Sequence, residues 1–118
     1  MSTQTDVDDT AQRVKRIREL NDALRKTGAG GMIVLTRGIA GLPPSERNEI
    51  HNAIAAFDDF NEGDDPYGEH DFGAVEVQGQ TVFFKVDYFD LDLRYHSPDP
   101  ADAKVTNRVM TVMLADEY

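Results

Sequence analysis

FGAVEVQGQTVFFKVDY, residues 72–88, is the stretch that decides the predicted fold. Two runs rich in β-branched and aromatic residues flank Gln78 and Gly79, and a two-residue spacing that contains glycine is typical of a tight β-hairpin. Pairing Val75 with Val82 places five apolar residues on one face of this hairpin: Val75, Val77, Val82, Phe84 and Val86. We expect that face to meet the core.

Two amphipathic helices are predicted before the hairpin. Apolar residues recur at spacings of three and four from about Thr10 onward, and Gly28 provides a stop for this first helix. The second helix opens at Pro44 or Ser45 and ends at an acidic loop. The predicted buried stripes are Val14, Ile17, Leu20 and Leu24 in the first helix, and Ile50, Ala53, Ile54 and Phe57 in the second.

A short strand and a third helix complete the predicted fold. Met32–Thr36 is continuously apolar, which is typical of a strand buried on both faces. Asp99 followed by Pro100 is a helix start signal, and the expected stripe of this last helix is Val105, Val109, Val112 and Met113. The sequence therefore predicts an α+β domain over residues 10–118, after a disordered lead over residues 1–9. Its small three-stranded sheet contains the hairpin and packs with three helices in the order α-β-α-β-β-α.

The composition is that of an acidic protein without cysteine. The 118 residues include 12 Lys and Arg against 22 Asp and Glu, and the formal net charge is -10. Without cysteine, disulfides, thiolate metal sites and a thiol nucleophile are excluded. No apolar run approaches the roughly twenty residues that span a bilayer, and the first residues lack the order of a signal peptide. We therefore expect a cytoplasmic protein without a membrane partner.

The negative charge is concentrated in one segment, residues 57–71, which we call the acidic loop. These fifteen residues carry seven carboxylates, and no Lys or Arg occurs from Asn48 to Phe84. A second polar segment, residues 89–97, follows the hairpin. Long loops in compact domains are often functional, and unneutralised carboxylates favour basic partners or cations.

The leading prediction is a protein that binds the basic surface of another protein, with a nucleic-acid-binding enzyme as the candidate partner. Carboxylates on a rigid surface can imitate a phosphate backbone, and charge then steers association. Tyrosines rimmed by carboxylates resemble interface anchors, so Tyr67 and Tyr95 are expected to be exposed. The predicted partner-binding residues are Asp58, Asp59, Glu62, Asp64, Asp65, Tyr67, Asp90, Asp92 and Tyr95. No cofactor is expected, and the oligomeric state is left open.

A metal-binding protein or metal-dependent hydrolase is the alternative. Asp59 and Asn61 resemble the opening of a calcium loop, although Gly63 comes one place early and His70 stands where a glutamate is required. The candidate ligands for a divalent metal are Asp59, Asn61, Asp64, His70 and Asp71. The candidate catalytic residues are Glu69, His70, Asp71 and Asp87, with Asp90 and His96 in the polar stretch nearby. We favour a structural role over both of these, in which Asp and Asn side chains cap turns and His70 bonds a neighbouring carboxylate.

The first helix has a predicted basic outer surface. Six of the twelve cationic residues surround its apolar stripe: Arg13, Lys15, Arg16, Arg18, Arg25 and Lys26. Basic stripes can hold nucleic-acid phosphates, and Arg13, Arg16 and Lys26 are the candidates here. On so acidic a chain we expect a solvated face, or a surface that docks against the acidic loop of a second copy, rather than direct binding of nucleic acid.

Four stretches of the chain resemble one family. They are RIRELNDALRKTGAGG, LTRGIAGLP, AAFDDFNEGDDPYGEHDFGAVEV and KVDYFDLDLRYHSPDPADAKVTNRVMTVMLADEY. Together they look like the small bacterial family catalogued as domain of unknown function 3768, from about Arg13 to Tyr118. The resemblance implies no established activity or catalytic residue. It implies a gene context on mobile elements, beside DNA-handling and defence genes, which favours a small regulator or inhibitor and a non-enzymatic role.

Overall fold

A computed structural model describes the chain from Thr3 to Tyr118, with side chains from Asp9 onward. The first two residues of the predicted disordered lead lie outside the described residues. The helices are α1 (Thr3–Thr27), α2 (Arg37–Ala40) and α3 (Pro44–Ala56), and the strands are β1 (Met32–Leu35), β2 (Phe72–Val77), β3 (Gln80–Phe89) and β4 (Asn107–Leu114). Two short 3₁₀ turns, Ala103–Val105 and Ala115–Glu117, flank β4.

The predicted hairpin is confirmed in its turn, its register and its buried face. Val75 pairs with Val82 in the antiparallel ladder of β2 and β3. Gln78 and Gly79 both have positive φ angles, 50° and 79°, as a tight two-residue turn requires. The five residues assigned to the inner face are all buried.

The sheet has four strands in the order β1-β4-β3-β2. β1 runs parallel to β4, whereas β4 with β3 and β3 with β2 are antiparallel. α1 and α3 cover one face, and the core between helices and sheet contains Leu24, Ile39, Ile50, Ile54, Val75, Val77, Val82, Phe84, Val86, Met110 and Val112. The other face of the sheet, with Phe72, Phe83 and Lys85, is partly exposed.

The predicted last helix is wrong, because this segment forms β4. Asp99 does cap a turn, since its Oδ1 accepts from the Ala101 N–H at 3.1 Å, but the helical turns do not continue. β4 pairs with β3 along its whole length and with β1 over Val109–Val112. Its β-branched residues suit a pleated strand, and the two neighbours satisfy backbone groups that a helix would otherwise pair internally. The predicted three-stranded sheet and element order are corrected accordingly.

β1 is an edge strand, so the prediction of burial on both faces is wrong. It pairs with β4 and, within the described chain, has no strand on its other side. Met32 is 53% exposed and Leu35 is 42% exposed, while Ile33 packs against the core. A continuous apolar run cannot by itself distinguish a central strand from an edge strand.

The helices before the hairpin agree with the predicted stripes. In α3, Ile50 and Ile54 are buried, with Ala53 and Phe57 packed against the same cluster. α1 begins at Thr3, earlier than the predicted start near Thr10, and gives way to Gly28 with a φ of 78°. Among the helices described, none combines the length and the apolar character needed to cross a bilayer.

Candidate functional site

α1 holds the acidic loop through backbone carbonyls. Arg25 Nη1 donates to the carbonyl oxygen of Phe57 at 2.8 Å. Arg18 Nη1 donates to that of Gly68 at 3.0 Å, and the Asn21 amide donates to that of Glu69 at 3.0 Å. The prediction that Arg25 belongs to the basic outer surface of this helix is therefore wrong, since Arg25 is 2% exposed, and Arg18 is also partly buried. These contacts order the loop without neutralising its carboxylates.

His70 stabilises the same loop through hydrogen bonds and ring stacking. Its Nδ1 bonds Asp22 Oδ1 at 2.9 Å, and its ring stacks on Phe60 with centroids 3.8 Å apart. Its backbone N–H donates to Asp65 Oδ1 at 3.2 Å, and Asp65 is itself buried. The backbone of His70 has a φ of 57°, in the left-handed region that is uncommon for residues other than glycine. These contacts match the structural role that the sequence left open for His70.

The carboxyl group of Asp22, which bonds the ring of His70, has a shifted pKa. Burial raises the pKa of its carboxyl, but hydrogen bonds from Arg25 and His70, together with their charges, outweigh burial and set the pKa below its ordinary value. A depressed pKa stabilises the fold above the unfolded-state pKa, and this contribution is lost as the pH falls through the folded-state pKa.

Asp22→Asn should therefore lower the free energy of unfolding by about 1–2 kcal/mol at neutral pH. The difference from wild type should shrink as the pH falls from the ordinary pKa of an aspartate through the lowered pKa of folded Asp22, because below that lowered pKa both proteins carry a neutral group. Urea unfolding followed by circular dichroism across this range measures it. A difference that stays constant as the pH falls would contradict the assignment.

The residues predicted as metal ligands do not form a metal-binding group among the described residues, and some of their side chains make other hydrogen bonds. Asn61 Oδ1 accepts from the N–H groups of Gly63 at 2.9 Å and Asp64 at 3.1 Å, which makes it a turn cap. Asp59 is exposed, and His70 is engaged with Asp22. Within the described part of the chain, no group of three or more His, Asp and Glu is arranged to hold a metal ion.

Three of the predicted catalytic carboxylates come together near the end of the hairpin. The Asp71 carbonyl accepts from the Val86 N–H at 2.8 Å, which fixes Asp71 beside β3. Glu69 Oε1 accepts from the hydroxyl of Tyr88 at 2.8 Å, and Asp87 lies 3.4 Å from Lys85 Nζ. Burial raises the pKa of Asp71, and the charges of Glu69, Asp65 and Asp87 raise it further.

Several carboxylates of the acidic loop have no cation beside them. Asp58, Asp59, Glu62 and Asp64 are exposed, and none forms an ion pair with a described cationic side chain. The cations of α1 pair elsewhere: Arg13 with Asp99, and Lys15 and Arg16 with Glu19. The loop therefore carries unneutralised negative charge on its surface.

A groove of about 620 Å³ separates the acidic loop from the second polar segment. It crosses the partly exposed face of the sheet, and its floor includes Phe72, Lys85 and Asp87. The acidic loop contributes Asp64, Pro66 and Tyr67 to the lining, and the second polar segment contributes Arg94, Tyr95 and His96; we call these two sets the walls of the groove. The predicted exposure of the tyrosines is confirmed, since Tyr67 is 75% and Tyr95 is 73% exposed.

The two acids predicted in the second polar segment have different environments. Asp90 is partly buried, and its Oδ1 accepts from the Arg94 N–H at 3.0 Å. The Asp90 N–H donates to the carbonyl of Tyr95 at 2.8 Å, which closes the turn. Asp92 is exposed at the tip. Asp90 therefore shapes the wall that presents Tyr95.

The groove and the acidic loop lie in the region that a family model matches. The family described as protein of unknown function (DUF3768) matches residues 35–117, more than half of the chain. The chain belongs to the DUF3768 family. No curated protein and no solved structure matches this DUF3768 protein.

Sequence reasoning missed a buried polar network in the DUF3768 protein. Asn21 Oδ1 accepts from Arg108 Nε at 2.7 Å, and its amide donates to Tyr88 Oη at 2.8 Å. The Arg108 guanidinium also lies 5.2 Å from the centre of the Tyr88 ring. One sequence feature does point to part of this arrangement, because Asn21 and Arg25 fall on the stripe of Ile17 and Leu24. Nothing local indicates Arg108.

Proposed function

We propose that this DUF3768 protein is a non-enzymatic interaction protein that binds the basic surface of a partner. The observation that carries the proposal is the surface on either side of the groove. Four exposed carboxylates without ion pairs lie on the acidic loop, and an exposed tyrosine stands on each wall of the groove. Charge complementarity favours encounter with a basic partner, and exposed aromatic residues are typical anchors of a protein interface.

A nucleic-acid-binding enzyme is the partner class we infer. Such enzymes expose clefts of Arg and Lys that bind phosphates, and carboxylates fixed on an ordered loop can occupy the same cleft. The net charge of -10 adds long-range attraction, which salt weakens. A small regulator or inhibitor acting in the cytoplasm fits this chemistry.

The test is a charge reversal of the four exposed loop carboxylates. Asp58→Lys, Asp59→Lys, Glu62→Lys and Asp64→Lys are combined, whereas Asp65 is left unchanged because it is buried and bonds His70. In capture from cell lysate at low salt, identified by mass spectrometry, the variant should retain about a tenth or less of the partner held by wild type. Added duplex DNA should compete with the protein for that partner.

A matched control carries the same change in charge elsewhere on the surface. Its substitutions are Asp9→Lys, Glu49→Lys, Glu76→Lys and Asp116→Lys, all at exposed positions outside the acidic loop and the groove. The control should keep most of the partner capture. Equal capture by the loop variant and wild type would reject the proposal.

The metal-dependent alternative stays a hypothesis. It would use the carboxylates Glu69, Asp71 and Asp87 with His70, which the structure engages with Asp22. Calorimetric titration with calcium, magnesium, manganese and zinc tests it separately from partner capture.

A further inference from the structure

Both walls of the groove are ordered by hydrogen bonds within the chain. The carbonyl contacts of α1 fix the acidic loop near Tyr67. In the second polar segment, the Asn107 side-chain amide donates to the carbonyls of Asp90 and Leu91 at 3.1 Å, and Asp90 closes the turn that ends at Tyr95. The two tyrosines are therefore presented on pre-organised backbone, which reduces the entropy lost on binding.

The rings of Tyr67 and Tyr95 have no aromatic neighbour among the described residues. Each ring is about three quarters exposed, so neither contributes much to the core. Aromatic faces attract cations, and a guanidinium group also stacks on them. The walls thus offer two free surfaces for a flat, positively charged group.

The carboxylates of Asp64, Asp71 and Asp87 line the same groove as the two tyrosines. Asp71 lies there with Glu69, Asp65 and Asp87 close enough to affect its ionisation. Lys85 pairs with Asp87, but no described cation lies within ion-pair distance of Asp71 or Glu69. A cation from outside would relieve this repulsion.

The opposite wall restricts what such a cation can belong to. Arg94 lines it, so a run of consecutive basic residues would meet like charge there. A partner segment with one basic side chain and neutral neighbouring residues avoids that repulsion. Its backbone carbonyls can also accept hydrogen bonds from Arg94.

We infer that the groove receives a single arginine side chain of the basic partner, next to the rings of Tyr67 and Tyr95 and the carboxylates of Asp71 and Asp87. Arginine fits better than lysine because its planar guanidinium can stack on a ring and donate two parallel hydrogen bonds to a carboxylate. This inference rests on the proposed function and supplies its recognition chemistry.

The test uses the short peptide acetyl-Gly-Arg-Gly-amide as the probe, followed by amide NMR chemical shifts of the full chain. The shifts should concentrate on the residues that line the groove. The citrulline peptide, which keeps the shape without the charge, should bind about tenfold more weakly, and the lysine peptide several-fold more weakly.

Variants separate the aromatic contribution from general attraction. Tyr67→Leu combined with Tyr95→Leu should weaken arginine binding by about tenfold, and both positions are exposed, so folding is retained. Leu93→Ala, an exposed change on the second polar segment outside the groove lining, is the matched control and should bind as wild type does.

Two results would overturn the inference: equal affinity for the citrulline peptide, or shifts that fall on Asp58 and Asp59 rather than in the groove. Its failure is distinguishable from failure of the proposed function. If charge reversal abolishes partner capture while the arginine peptide causes no amide shifts in the groove, the proposed function is supported and the arginine site is rejected. If the peptide binds the groove and charge reversal changes nothing, the arginine site stands without that partner.

Discussion

Arg25→Met should lower the free energy of unfolding by about 3–5 kcal/mol. The Arg25 guanidinium is buried, and its Nη1 donates to the carbonyls of Ile54 at 3.0 Å, Ala55 at 3.2 Å and Phe57 at 2.8 Å. These carbonyls end α3 and begin the acidic loop. That of Ile54 also accepts from the Phe57 N–H at 3.2 Å, whereas those of Ala55 and Phe57 have no backbone partner among the described residues. Methionine fills much of the volume but donates no hydrogen bond, so buried acceptors are left unsatisfied.

The neighbouring Lys26 provides the control for this change. Lys26 is exposed, so Lys26→Met should alter the stability by no more than about 0.5 kcal/mol. Urea unfolding monitored by circular dichroism compares the two variants with wild type. A loss of less than about 1 kcal/mol for Arg25→Met would show that Arg25 is not needed to join α3 to the loop.

Gly73→Ala should destabilise the protein by about 1–3 kcal/mol through overpacking. A Cβ at this position would lie 2.5 Å from the ring of Phe84 and 2.8 Å from that of Phe57. Phe84 is fully buried and packs edge to face against Phe57 and Phe60, so its ring has no free space to move into. The required shift therefore involves the core itself.

The control for Gly73→Ala is the same substitution at Gly41. Gly41 has φ -80° and ψ -6°, which alanine adopts readily, and its nearest neighbour to a new Cβ is the Arg37 carbonyl at 3.3 Å. Gly41→Ala should stay within about 1 kcal/mol of wild type, and a small gain is expected from the reduced entropy of the unfolded chain. Thermal unfolding that shows equal midpoints for both variants would contradict the overpacking argument.

The way the acidic loop is anchored explains how it keeps a negative surface. Buried Arg25 and partly buried Arg18 donate to carbonyl oxygens of the loop, which are neutral, and the exposed carboxylates of the loop stay unpaired. If ion pairs between α1 and the loop carboxylates held the loop instead, those carboxylates would be neutralised. Stability and surface charge are thus supplied by different groups, so the Arg25 and charge-reversal variants test separate properties.

Prediction from sequence succeeded where neighbouring residues decide the structure. The turn at Gln78 and Gly79 and the alternation around Val75 and Val82 are local, and they were sufficient for the hairpin register. Prediction failed for β4, because Asp99 and Pro100 do start a turn, while pairing with two distant strands decides the conformation of residues 107–114. The edge position of β1 depends in the same way on contacts far along the chain.

For the candidate site, the sequence predicted the acidic loop and the exposed tyrosines, but not the groove that they line. The acidic loop and the exposure of Tyr67 and Tyr95 follow from composition, since unpaired acids and surplus aromatic residues cannot all be buried in a small core. The sheet brings loops that are distant in sequence to one of its faces. As a result the two tyrosines share a groove with Arg94, Lys85 and Phe72.

The sequence by itself determined the excess of negative charge, the α+β class and the hairpin, because each depends on residue identity or on neighbours a few positions away. Tertiary structure alone decided that residues 107–114 form a strand, that Arg25 is buried, and that two polar segments border one groove. The physical reason is that these outcomes depend on backbone pairing and packing between residues tens of positions apart, which no local pattern encodes.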